Sequence, residues 1–243
     1  MITVQGVRKS YGGQRALDGV TFSALPGRVT ALLGPNGAGK TTTLRILLGL
    51  EDADAGSALF DGVRYRDLAT PLRTVGTLLD GSGAAGFRTP RTHLAWLAAS
   101  NGIARSRIDE AIDAVGLSTV ATRRISGFSL GMGQRLGMAA ALLGDPATVI
   151  LDEPTNGLDA EGVVWVRHMV RRLAEDGRTV LMTSHLLHEV QKMADDLVII
   201  AGGHIVGKGA LSDLLEEDTD LEEAYFSWTQ GREQYAAHEG GER

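Results

Sequence analysis

Gly34-Pro35-Asn36-Gly37-Ala38-Gly39-Lys40-Thr41-Thr42 is the stretch on which the reading of this chain turns. An apolar, strand-like run, Val29 to Leu33, leads into it, and a helix-like run, Thr43 to Leu50, leads out. A G-x-x-x-x-G-K-[ST] pattern needs that strand–loop–helix setting before it means a phosphate site. The glycines let the backbone close around an anion with no Cβ in the way. Successive N–H groups then point into one concavity, and the helix start adds the positive end of its dipole. Lys40 supplies a mobile cation for the outer phosphates, and the Thr41 hydroxyl is placed to ligate Mg²⁺. The competing reading is a Gly-rich turn that happens to carry a lysine. Every position matches and both flanks fit, so the stretch predicts a nucleoside triphosphate site.

The rest of the composition bounds the setting. A chain of 243 residues suits one large α/β domain, or one with an inserted subdomain, and can bury a substantial core. Hydrophobic residues make up 43% and charged residues 22%, the balance of a globular protein. Net charge is −6, and the basic pairs Arg123-Arg124 and Arg171-Arg172 are too small for a nucleic-acid footprint, so no nucleic-acid partner is expected. With no cysteine, disulfides and thiolate metal sites are excluded. Met1 to Ser10 has no apolar core of signal-peptide length, and no run reaches the length of a membrane-spanning helix. Work at a membrane would require another chain to make the crossing.

Taken in order, Ile2 to Phe22 alternates apolar and polar around Gly12-Gly13 and Asp18-Gly19, which predicts short antiparallel strands with two turns. Strands are expected at Gly56 to Phe60, closed by Asp61-Gly62, and at Thr74 to Leu79. From Asp80 to Phe87 the chain turns Gly- and Ala-rich and reads as a loop. Helices are expected near Pro90 to Ser100, Arg105 to Val115 and Gly131 to Leu143; in the second, Ile108, Ile112 and Val115 recur at helical spacing. This stretch, about 81–143, is the candidate for an inserted helical subdomain. Then follow a strand at Thr148 to Leu151, a long helix from about Ala160 to Glu175, a strand at Thr179 to Thr183 and a helix from His185 to Ala194. A hairpin around Gly202-Gly203 and a helix-like end to about Thr229 complete the chain, with a polar tail over 230–243. There is no internal repeat, so one nucleotide site is expected.

Thr148-Val149-Ile150-Leu151-Asp152-Glu153 carries the second chemical signal. An apolar strand ending in two carboxylates delivers them to the carboxyl edge of a parallel sheet, where ligands bind. Alone, such a pair is more simply a solvated acidic turn. Beside a phosphate loop, Asp152 becomes a candidate for holding Mg²⁺ and Glu153 a candidate for polarising the attacking water.

With these two motifs in hand, residues 1 to about 229 resemble the ATP-binding subunit of an ABC (ATP-binding cassette) transporter. Phe128-Ser129-Leu130-Gly131-Met132 aligns with that family's L-S-G-G-Q signature and is followed by Gln134-Arg135. Ser129 is a good N-cap and Gly131 keeps the helix start uncluttered, so a hydroxyl and backbone N–H groups could meet a phosphate. The resemblance implies that Ser129 and Gly131 complete the nucleotide site of a second subunit. It also makes Asn156-Gly157-Leu158-Asp159 similar to the loop that links the two sites, and Ser184-His185 similar to the switch histidine, in which His185 contacts the γ-phosphate and the water. Tyr11 matches the aromatic that stacks on adenine; the alternative is a strand-end tyrosine in a small hydrophobic cluster. His188 lies three residues past His185, but without a third ligand it reads as a solvated helix face.

Two departures from the family pattern stand out. Asp80 occupies the place where a glutamine is usual, and it either offers an oxygen near Mg²⁺ or opens the Asp80-Gly81 turn as a surface residue. The signature carries Leu130 and Met132 in place of glycine and glutamine, a form similar to that of drug- and antibiotic-export ATPases. The expected architecture is therefore α/β, a P-loop NTPase core of ABC type with an antiparallel β subdomain and an inserted helical subdomain. The resemblance implies ATP and Mg²⁺ as ligand and cofactor. As partners it implies an integral membrane permease and a second ATPase subunit, in a homodimer, at the inner face of the cell membrane. Export is the expected task. An importer ATPase, or a non-transport ABC ATPase acting on ribosomes or DNA, is the alternative; one cassette and no sustained heptads argue against the latter.

Overall fold

A computed structural model describes residues 1–79, 83–215 and 220–230. β1 (Ile2–Tyr11) and β2 (Gln14–Ala24) form a hairpin closed at Gly12-Gly13, and β4 (Ala55–Phe60) pairs with the other edge of β1. All three are antiparallel neighbours in the order β2-β1-β4. The expected turn at Asp18-Gly19 is not a turn: both residues lie within β2, where the register with β1 slips beside Arg8–Asp18 and Gly19 adopts φ 77°. A glycine at positive φ serves a bulge as readily as a turn, and here the strand continues through it.

The second sheet has six strands in the order β5-β6-β7-β3-β8-β9. They are β3 (Val29–Leu33), β5 (Val75–Leu78), β6 (Thr148–Leu151), β7 (Thr179–Thr183), β8 (Asp196–Ala201) and β9 (His204–Ala210). The first five in space are parallel, and β9 returns antiparallel to β8. β3, β6 and β7 are buried at every residue, as continuous apolar runs covered on both faces must be. Alternate side chains divide between two cores. Ala31, Val149, Val180 and Leu197 pack toward the helices, while Leu32, Ile150, Leu181 and Val198 pack toward the antiparallel sheet.

Between β5 and β6, which are neighbours in the sheet, the chain makes the helices α3 (Pro90–Ser100), α4 (Ser106–Ala114) and α5 (Leu130–Leu142). α3 starts with a reciprocal cap, Thr89 with Thr92, and Pro90 in its first turn, where its missing N–H costs nothing. α4 buries Ile108, Ala111 and Ile112, the face expected from their spacing. The remaining helices are α1 (Lys40–Leu47), α2 (Pro71–Thr74), α6 (Ala160–Glu175), α7 (Leu187–Met193), α8 (Leu211–Leu214) and α9 (Leu221–Thr229). α1 begins three residues earlier than the apolar pattern indicates, because the phosphate loop itself supplies its first turn.

Parallel pairing brings four strand ends to one edge. β3 delivers the phosphate loop, β6 delivers Asp152-Glu153, β7 delivers Ser184-His185, and β5 ends beside them at Leu78. Ligands of open α/β sheets bind at this edge.

Candidate functional site

The loop from Gly34 to Thr42 is held by backbone packing that admits no side chain. A Cβ at Gly34 would fall on the Ile200 carbonyl oxygen, and one at Gly39 would fall on Leu17 and Ala16 of β2. Gly39 also sits at φ 109°, a conformation left to glycine, and forms the N-cap of α1. The Thr43 hydroxyl donates to the Gly39 carbonyl at 2.8 Å, which closes the first helical turn. Lys40 lies back along the loop, its Nζ 2.6 Å from the Gly34 carbonyl and 3.3 Å from that of Pro35. Burial pushes its pKa below the ordinary lysine value, against the opposing pull of Glu153 and Asp152.

Residues Pro35 to Thr42 line a cleft of about 630 Å³ together with Asp152, Glu153, Asn156, Leu130 and Gln134. Thr41 and Asp152, expected at Mg²⁺, therefore face one space with the expected phosphate binders. The Asp152 carboxylate accepts a hydrogen bond from the Thr183 hydroxyl at 2.5 Å. Glu153 turns away from the strand at φ 47°. Its side-chain Oε2 lies 2.7 Å from His185 Nδ1 and 3.3 Å from the His185 backbone nitrogen. His185 itself lies on a neighbouring cavity of about 400 Å³, shared with Pro35, Asn36, Tyr225 and Phe226. Pro35 and Asn36 line both spaces, and the contact between Glu153 and His185 joins them as well.

Other expected residues lie apart. Ser129 caps α5, its Oγ accepting from the Met132 N–H at 3.2 Å, and Gly131 follows it. Both line a separate hollow of about 190 Å³ against Leu158, Asp159 and Trp165, outside this chain's own phosphate cleft. Tyr11 is about half exposed at the end of β1, with its hydroxyl on Glu51 and in contact with Thr42, and with Lys9 Nζ 5.4 Å from its ring centre. His188 lies on a solvated helix face, as expected, with its Nε2 3.2 Å from Oε1 of the buried Glu189. Asp80, the unusual residue at the end of β5, lies outside the described residues.

Thr183 beside the two carboxylates, and Asn156 and Leu130 as lining residues of the cleft, are not legible in the motifs as parts of this site. Thr183 carries a trace of its role, a hydroxyl at the carboxyl end of a strand whose interior is apolar.

A family model described as "ABC transporter" matches residues 17–156, more than half of the chain. The chain belongs to the ABC transporter family. Over 208 residues it is 36% identical to the lantibiotic transport ATP-binding protein SrtF of Streptococcus pyogenes, covering 85% of this chain and 89% of that one. It is 37% identical over 209 residues to the bacitracin transport ATP-binding protein BcrA of Bacillus licheniformis, covering 85% of this chain and 68% of that one. A solved ATP-binding subunit of an ABC transporter superposes with a TM-score of 0.85 at 26% identity, over 94% of this chain and 99% of that one. As an ATP-binding subunit of this family the chain is an ATPase that takes ATP with Mg²⁺. The donor set agrees: a lysine and a loop of N–H groups for phosphate, and a hydroxyl with a carboxylate, hard oxygen ligands, for the metal. Subunits of this kind work in pairs and with membrane permeases. Among the described residues no helix is long and apolar enough to cross a membrane.

Proposed function

We propose that this chain hydrolyses MgATP within a homodimer and so drives a separate membrane permease that exports an antibiotic-like compound. The observation that carries the hydrolytic part is the 2.7 Å contact between Glu153 and His185 at the mouth of the phosphate cleft. Lys40 and the loop N–H groups hold the triphosphate. Thr41 and Asp152 would hold Mg²⁺, which when bound offsets the negative charge of the phosphates. Glu153 orients a water and accepts its proton. The water oxygen forms its bond to the γ-phosphorus as the bond to the β–γ bridging oxygen breaks, which yields ADP and phosphate. His185 keeps the Glu153 carboxylate aimed. Tyr11, beside Thr42, is proposed to stack on adenine, and Ser129 with Gly131 to meet the nucleotide of the second subunit. Asp80 is proposed to serve the metal side of the same site.

Export of a drug-like compound is supported by similarity to transport ATP-binding proteins for lantibiotics and bacitracin and by the Leu130 and Met132 form of the signature. The proposed division is a cassette over 1–229 with a helical subdomain at about 81–143 and a polar tail at 230–243; the three consecutive helices between neighbouring strands support it. The proposed location is the inner face of the cell membrane, on the permease.

The test is a pull-down of the tagged chain from solubilised membranes. An integral membrane protein with several apolar spans should co-purify, and ATPase activity of the reconstituted pair should rise with peptide antibiotics. Recovery of the chain without any membrane protein would overturn the transport reading.

A further inference from the structure

We infer that Thr183 is a positioning residue of the hydrolytic site, whose single hydroxyl sets Asp152 and Glu153 relative to each other. The inference rests on the roles proposed above for those two carboxylates.

Thr183 is the last residue of β7 and is fully buried. On one side it pairs with Leu32 of β3. On the other side the ladder between β6 and β7 ends one step earlier, at Leu151 opposite Met182. Beyond that step β6 curls away, and the next backbone groups of its chain need other partners. The Asp152 N–H goes to the Leu78 carbonyl on the far side, at 2.8 Å. The Glu153 N–H goes to the Thr183 hydroxyl oxygen at 2.9 Å. A side chain thus takes over where the sheet stops.

A hydroxyl has one proton to give and lone pairs to accept with. Thr183 accepts from the Glu153 N–H, and it donates its proton to Asp152 Oδ1 at 2.5 Å. With both bonds made, neither the direction of the proton nor the rotamer is left open. The acceptance also sustains Glu153 at φ 47°, a backbone region that a residue with a Cβ seldom occupies without enforcement. Two residues later the same segment presents His185 to the Glu153 side chain. Glu153 is therefore pinned at its backbone by Thr183 and at its carboxylate by His185, and Asp152 is pinned by the same Thr183 hydroxyl. The Thr183 side chain lies behind Asp152 and Glu153, which line the cleft, and is not itself part of that lining.

The experiment compares three substitutions by turnover, by nucleotide titration with and without Mg²⁺, and by thermal unfolding of the nucleotide-free chain. Thr183→Val keeps the shape and removes both bonds. Thr183→Ser and Thr183→Cys each lose the methyl and differ only in whether oxygen or sulfur remains. Valine and cysteine should lower kcat about 10- to 100-fold, the scale of a sub-ångström to one-ångström misplacement. They should leave nucleotide affinity without Mg²⁺ unchanged and move the Mg²⁺ dependence of binding to higher concentration. Serine should restore most of the turnover and the Mg²⁺ dependence. Should valine fail to fold, the serine–cysteine pair decides on its own. Equal turnover and equal Mg²⁺ dependence for serine and cysteine overturn the inference, as does a valine variant with wild-type values. A parallel Glu153→Gln protein separates the cases. If it also turns over normally, the reading of the carboxylates has failed; if it is inactive while the Thr183 variants are normal, only the role of Thr183 has.

Discussion

Nδ1 of His185 lies 2.7 Å from Oε2 of Glu153, and the backbone N–H of His185 lies 3.3 Å from that same oxygen. The two residues are 32 positions apart and meet because β6 and β7 are parallel neighbours. An ionised carboxylate accepts from both groups, so one oxygen of Glu153 is spoken for and its orientation is set by the end of another strand.

Glu153→Gln should therefore bind MgATP with nearly unchanged affinity and lose turnover by about 10²–10⁴-fold, the range for a general base. Stopped ATP hydrolysis with a trapped nucleotide-bound dimer, seen by light scattering, is the expected pair of results. His185→Ala should reduce turnover while leaving nucleotide binding in place. Wild-type hydrolysis by Glu153→Gln would remove the residue from the mechanism.

Lys40→Ala should weaken ATP binding at least about tenfold, since hydrogen bonds to charged groups contribute about 1.5–3 kcal/mol each. Equilibrium titration with a fluorescent ATP analogue measures it. Burial holds the Lys40 pKa below 10.5, so the ammonium loses its proton at a lower pH than an ordinary lysine does. The sign follows directly: kcat/KM should fall on the alkaline side before pH 10.5 is reached, because the neutral amine no longer attracts phosphate. A pH profile of the wild-type chain that stays flat to that value contradicts the assignment.

Arg167 joins α6 to α7 by donating through Nε and Nη2 to Glu189 Oε2, at 3.0 and 2.6 Å. Glu189 is 4% exposed and also meets Lys192 at 3.3 Å. Burial alone would push its pKa up, but hydrogen bonds from Arg167 and Lys192 outweigh it and hold the carboxyl below 4.5. A depressed carboxylate pKa contributes stability that is fully present above the unfolded value and is lost as pH falls through the folded value. Arg167→Ala should cost about 1.5–3 kcal/mol at neutral pH by urea denaturation, the scale of charge-assisted hydrogen bonds lost from a carboxylate that keeps Lys192. Repeating the titration below pH 4 should shrink the difference between the two proteins.

Gly76 lets β5 press against α5: a Cβ there would strike the Ala141 carbonyl group and come within 2.8 Å of Pro146 Cγ. Gly76→Ala should destabilise the chain by about 1–3 kcal/mol through overpacking. For a chain of this size that is a fall in Tm of several degrees, read by calorimetry. An unchanged Tm would mean that the helix is free to slide on the sheet.

Much of the fold was legible because its signals are local. Pro90–Ser100, Ala160–Glu175 and Thr179–Thr183 coincide with the elements expected at those positions from the sequence. Asp18-Gly19 misled for the converse reason. A glycine at positive φ looks the same in a turn and in a bulge, and pairing with β1 decides between them. β9 runs on to Ala210 through Gly207, Lys208 and Gly209, a stretch with no strand pattern of its own, because the backbone of β8 offers it partners.

The candidate site divides the same way. By itself the sequence determined where the phosphate-loop pattern and the paired carboxylates lie, since each is written in residues adjacent along the chain, while His185 is singled out only through the family resemblance. Only the tertiary structure decided that Glu153 meets His185, that Thr183 ties Asp152 to Glu153, and that Ser129 and Gly131 open onto a different hollow from Lys40. Those relations depend on the strand order β5-β6-β7-β3 and on where each ladder ends. Strand order is a property of long-range burial and hydrogen bonding, in which many segments compete for the same edge, and no window of neighbouring residues carries it.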